Sequence, residues 1–166
     1  MDEEVQATAA RLVRRLKEGN HTITVAESCT GGLLASAFTD IAGASQWFRQ
    51  SWVTYSNDAK IKELGVTEEA LNRRGAVSAE VAIQMAQGAR VKADASIALS
   101  ITGIAGPSND GSNKKIGTVY VGIASEHWAN SDITEIGGNR AENKRFKLLL
   151  ADLISCPELV RKPHLS

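Results

Sequence analysis

The chain has 166 residues, 19 Lys plus Arg against 19 Asp plus Glu, and 43% hydrophobic residues. That length suits one domain with its own core, the composition is too apolar for disorder, and zero net charge argues against a dedicated nucleic-acid binder. Its two cysteines, Cys29 and Cys156, form no CxxC pair, which excludes a disulfide framework or a zinc knuckle.

The N-terminus, Met1-Asp2-Glu3-Glu4-Val5, has no basic segment leading into an apolar one, so no secretory signal is expected. No apolar run approaches the ~18 residues of a membrane span. A soluble, cytoplasmic protein with no membrane partner is expected.

Val5, Ala9, Leu12, Val13 and Leu16 share one helical face, opened by Asp2, Glu3 and Glu4 and closed by basic residues. Thr22–Val25 is β-prone, and Ala26-Glu27-Ser28-Cys29-Thr30-Gly31-Gly32 is a small-residue turn before a helix over Leu33–Phe38. Gln50–Tyr55 reads as a second strand, with Asn57 as the cap of a helix through Ala59–Leu64. A short helix is expected near Thr67–Arg74, and Ser78 caps a longer one carrying Val81, Met85 and Ala89 on one face. Strands are expected at Ala95–Ile101, Gly117–Ala124 and, more weakly, Asp132–Ile136. A helix over Asn139–Ser155 precedes a polar tail, so the expected domain is 1–155 and the tail 156–166. Alternating helices and strands predict an α/β fold with helices on both sheet faces. The last two strands are joined too closely for a parallel crossover, so the sheet is expected to be mixed, with that pair antiparallel.

Chemistry concentrates where strands end. Ser28 follows a strand and precedes a helix whose first amides have no internal partners, and such amides can hold an oxyanion. Gly31 and Gly32 clear the approach. Cys29 is the competing nucleophile, and the residues alone do not choose between the two. Of the histidines, His21, His127 and His164, none is placed to serve a hydroxyl as base. Lys60 is the other candidate. It lies in the first turn of a helix, where the dipole disfavours an ammonium and burial would disfavour it further. Tyr55 ends the preceding strand within reach of the same region. On spacing alone, a turn, a solvated lysine and a half-buried tyrosine are the plainer readings of these positions.

The loop Thr102-Gly103-Ile104-Ala105-Gly106-Pro107 follows a buried strand, a common ligand position in α/β folds. Thr102, Gly103 and Gly106 are its candidate contacts; no Walker or Rossmann pattern is present. Trp47, Phe48 and Trp52 read as core. Arg140, at the start of the last helix, is the best placed candidate for a phosphate.

These strings, together with Tyr55-Ser56-Asn57-Asp58-Ala59-Lys60, Gly75-Ala76-Val77-Ser78 and Gly117-Thr118-Val119-Tyr120, resemble the CinA C-terminal domain family over nearly the whole chain. The resemblance implies a three-layer α/β/α domain with a mixed, mostly parallel sheet. It implies hydrolysis of the carboxamide of nicotinamide mononucleotide to nicotinate mononucleotide and ammonia. Ser28 would be nucleophile, Lys60 base and Tyr55 its helper. Oxyanion and substrate contacts are expected from Cys29, Thr30, Gly31, Gly32, Asn57, Thr102, Gly103, Gly106 and Arg140. No metal and no cofactor is expected, and a symmetric homo-oligomer is. The second, N-terminal domain of many family members is not part of this sequence, so its ADP-ribose hydrolysis is not expected.

Two stretches depart from the family pattern. In Ser108–Gly117, Lys115 replaces a proline; in the last helix, Asn139 and Asn143 replace acidic and aliphatic residues. They motivate two rival readings: a nucleotide-binding paralogue impaired in turnover, and a scaffold associated with competence or DNA repair.

Overall fold

Ile23–Glu27 (β1) and Ile97–Gly103 (β3), rich in apolar and small residues, run side by side through the middle of a five-stranded sheet. Phe48–Val53 (β2), Thr118–Ala124 (β4) and Ala129–Glu135 (β5) complete the order β2-β1-β3-β4-β5. A computed structural model describes residues 3–107 and 111–135. The expected helix Asn139–Ser155, the tail 156–166 and the candidate Arg140 lie outside the described residues.

β1 pairs in parallel with β2 and β3, β4 is antiparallel to β3, and β5 is antiparallel to β4. The sheet is therefore mixed, and four of its five strands point the same way. The expected antiparallel pairing of the last two strands holds. Their connection is tighter than the sequence pattern predicts: β5 begins at Ala129 rather than Asp132, and Ser125 N donates to Trp128 O across the turn at 2.7 Å. β2 likewise starts two residues before Gln50, because its register sets Phe48 against Ile23.

Helices cover both faces, as the alternation predicts. Glu3–Glu18 (α1) and Leu33–Thr39 (α2) bury Leu12, Val13, Leu16, Leu34 and Phe38 against Ile23, Val25, Leu99 and Ile101. Trp47 joins this core, edge-on to Phe38 at 5.7 Å between ring centroids, with Phe48 packed beside it. On the opposite face lie Asn57–Leu64 (α3), Glu68–Arg74 (α4) and Ala79–Ala93 (α5). There Val81, Met85 and Ala89 of α5 pack on Ala26, Ala98 and Ala124, with Trp52 at the margin.

This second face is built from small residues, so backbones touch. A Cβ on Gly122 of β4 would collide with the Ala82 carbonyl oxygen and with Ser100 Oγ. One on Gly88 of α5 would run into the Leu64 carbonyl at the end of α3. Ser100 Oγ donates to Ala82 O at 2.5 Å, tying β3 to α5 directly.

One cap differs from the expectation. Ser56, not Asn57, caps α3: its hydroxyl accepts from Ala59 N at 3.1 Å, and Asn57 is the first helical residue. Both residue types cap well, and the extended backbone at Ser56 (φ −90, ψ 160) decides between them. Thr67 and Ser78 cap α4 and α5. No helix of the described residues is long and apolar enough to cross a membrane.

Candidate active site

The parallel strands β1 and β3 end side by side, and the chain turns off both ends into loops that face each other. After Glu27, Ser28 N donates to Ile101 O at 3.1 Å, which holds the residue to the tip of β3. Gly31 N returns to Ser28 O at 3.1 Å. Gly31 and Gly32 then take φ values of 63 and 103, a region open to glycine and strained for other residues. The end of β2 is held alongside, because Thr54 N donates to Glu27 O at 2.9 Å.

From there the chain enters α3. A helical side chain leans back toward the helix N-terminus, and Lys60, in the first turn, thereby reaches the strand ends. It is 1% exposed. Its Nζ lies 3.2 Å from Ser28 Oγ, 2.7 Å from Thr54 O and 3.3 Å from Tyr55 O. No carboxylate is among these three partners. Burial holds the amine below its ordinary lysine value, against an opposing effect of the neighbouring Cys29.

The three contacts accommodate either protonation state of the amine. An uncharged Lys has two N–H bonds and one lone pair. In that form Thr54 O and Tyr55 O can accept both N–H bonds, and the lone pair is then available to the Ser28 hydroxyl. An ammonium has three N–H bonds and no lone pair, so it can only donate to Ser28.

A pocket of about 230 Å³ opens over this pair. Of the sequence candidates, Ser28, Cys29, Tyr55, Lys60, Thr102, Gly103 and Gly106 line it. Thr30, Gly31, Gly32 and Asn57 do not; the glycines shape the turn, and Asn57 is exposed at the start of α3. Tyr55 borders the pocket and is 62% exposed, and its main-chain carbonyl meets the lysine amine. Thr102 Oγ1 donates to Ala76 O at 2.9 Å, fastening the turn between α4 and α5 to β3.

The oxyanion expectation needs correction in one respect. Helix α2 starts at Leu33, and its amides at Leu34 and Ala35 donate to the Glu27 carboxylate at 2.9 and 3.1 Å. The start of the helix is therefore occupied. The amide of Thr30, within the turn itself, donates to no acceptor among the described residues.

Ala76, Val77, Ile104 and Ala105 complete the pocket and were not among the sequence candidates. Ala76 and Val77 sit in the Gly75–Ser78 string that carried part of the resemblance, which was the available signal. Thr54 acts through its carbonyl, which no side-chain pattern announces. His21 and His127 lie away from the pocket, and His164 is outside the described residues. Among the described residues, no group of three or more His, Cys, Asp or Glu is placed to hold a metal ion.

The CinA C-terminal domain model matches residues 5–151. The chain belongs to this family. A nicotinamide-nucleotide amidohydrolase, PncC, of Escherichia coli is 47% identical over 75% of this chain and 75% of its own length. A putative competence-damage inducible protein of Caldicellulosiruptor saccharolyticus is 47% identical over 80% of the chain, which spans 32% of that protein. The chain thus covers about a third of such longer relatives. Among solved structures, a CinA superfamily protein from Escherichia coli superposes with a TM-score of 0.87 at 30% identity, covering 92% of this chain and 90% of its own. The competence/damage inducible protein CihA from Agrobacterium tumefaciens does so with the same TM-score at 35% identity, over 92% and 94%.

Proposed function

We propose that the chain hydrolyses the carboxamide of nicotinamide mononucleotide, yielding nicotinate mononucleotide and ammonia, through a Ser28–Lys60 dyad. The observation that carries this reading is the 3.2 Å contact between a buried lysine amine and a serine hydroxyl, with the amine's other two contacts made to carbonyls. The similarity to the PncC amidohydrolase supplies the substrate class.

Neutral Lys60 takes the proton as Ser28 Oγ attacks the carboxamide carbon. The tetrahedral oxygen is held by amides of the turn at Cys29 and Thr30. The lysine proton passes to the leaving nitrogen, the C–N bond breaks and ammonia departs. Lys60, neutral again, activates a water that cleaves the ester and frees Ser28. Tyr55 orients the base through its carbonyl and borders the substrate with its ring.

Ammonia release from nicotinamide mononucleotide tests the reading. The unmodified chain should turn over, and Ser28→Ala and Lys60→Ala should each lose roughly a thousandfold or more, as members of one catalytic unit do. Ligand binding without turnover in the unmodified chain would favour the impaired paralogue instead.

A further inference from the structure

Glu27 is a carboxylate with 0% exposure, placed immediately before the nucleophile, and the chemistry above does not use it. Burying a carboxylate is unfavourable unless its oxygens are satisfied. Here each oxygen accepts one main-chain N–H, Oε1 from Leu34 and Oε2 from Ala35. Helix α2 supplies no such group itself: its cap position is Gly32, without a side-chain hydrogen bond, and its first turn has no acidic residue. The strand therefore caps the helix across the intervening turn, with the positive end of the helix offsetting the charge.

That turn is Ser28–Gly32, and its two left-handed glycines make it costly to order. Leu34 and Phe38 anchor α2 in the core. The Glu27 clasp thus refers the nucleophile's turn to a fixed helix. Glu27 also acts through its main chain. Its carbonyl accepts from Thr54 N, and the Thr54 carbonyl accepts from Lys60 Nζ. One residue is tied to the turn that carries the nucleophile and to the acceptor that aims the base.

We propose that Glu27 is a positioning residue that sets the Ser28–Lys60 geometry by clasping the first turn of α2. The inference rests on the dyad reading above, so its test reads the dyad without the nucleotide. Ser28 of the full chain is labelled with a fluorophosphonate, and initial rates are compared for the unmodified protein, Glu27→Gln and Glu27→Asp. Gln keeps the shape but turns an N–H donor toward one amide; Asp keeps the charge but withdraws both oxygens by one methylene. A shift of about 1 Å at reacting atoms is worth on the order of a hundredfold.

The folded variants should label about ten- to a hundredfold more slowly, at temperatures well below their unfolding transitions. On nicotinamide mononucleotide, kcat per folded molecule should fall by a similar factor with KM within about twofold; the rates are referred to the folded fraction, because loss of folded protein by itself lowers apparent kcat at constant KM. Folded variants that label within about twofold of the unmodified chain overturn the proposal. So does failure of both variants to fold, which would make the carboxylate a requirement of the whole domain. If the unmodified chain labels at Ser28 yet releases no ammonia, the substrate reading fails while the labelling rates still decide the role of Glu27. If Ser28 is not labelled at all, the dyad reading fails and this inference falls with it.

Discussion

Toward α1 and α2 the sheet presents Ile23, Val25, Leu99, Ile101 and Ile123; toward α5 it presents Ala26, Ala98, Ser100, Gly122 and Ala124. On the first face, branched side chains fill volume between separated backbones, and small repackings are absorbed by rotamers. On the second, backbone meets backbone at Gly122 and Gly88, and hydrogen bonds from Ser100 and Thr102 cross the contact. The candidate base and part of the pocket wall hang from that second face, Lys60 on α3 and Ala76 and Val77 in the turn before α5, whereas Ser28 lies in the turn that leads to α2 on the first. The rigid contact fixes where α3 carries Lys60, and the forgiving face supplies most of the branched apolar burial.

Gly88→Ala should disturb this arrangement most. Helix propensity returns at most about 1 kcal/mol, whereas overpacking costs about 1–3 kcal/mol. The added methyl would meet the Leu64 carbonyl, so α3 must move and Lys60 with it. Turnover and fluorophosphonate labelling should drop by roughly tenfold or more in protein that is still folded, and a drop in melting temperature without a change in rate would contradict the contrast between the faces.

The pH response is next in size. Lys60 titrates below its ordinary value because it is buried. Activity should therefore rise about tenfold per pH unit below that depressed pKa and level off before the usual ~10.4. The stability sign follows from proton counts. Between the native pKa and ~10.4 the unfolded chain holds the extra proton, so the Lys60 contribution makes unfolding harder as pH rises. It is lost again as pH falls through the native pKa. Urea unfolding across that window should show the limb in the unmodified protein and its absence in Lys60→Met.

Ile123→Val on the opposite face should do least. It removes one methylene from a buried position of β4 and should cost about 1 kcal/mol. kcat on nicotinamide mononucleotide should stay within twofold, and a larger change would show that the bulky face also governs the site.

Much of this was readable from local pattern. Alternation of helix and strand predicted the layers, and a short connection predicted the antiparallel β4–β5 pair. Lys60 stood out because cations seldom occupy a helix start, and the structure brings it to Ser28. What escaped depends on contacts distant in sequence. The start of β2 at Phe48 follows from its register with β1, and the cap at Ser56 from the backbone leaving Tyr55. The occupation of the α2 amides by Glu27 depends on where that helix begins, five residues beyond the nucleophile. The candidate Arg140 lies outside the described residues.

Two of the three groups that hold the lysine amine, the carbonyls of Thr54 and Tyr55, belong to the polypeptide backbone. Every amino acid brings an identical carbonyl, so no replacement at positions 54 or 55 can delete either acceptor as long as the strand end keeps its path. A substitution at position 55 therefore changes a side chain that is 62% exposed while the carbonyl that meets the amine is retained. Such a layout places side-chain variation and a fixed main-chain acceptor within a single residue.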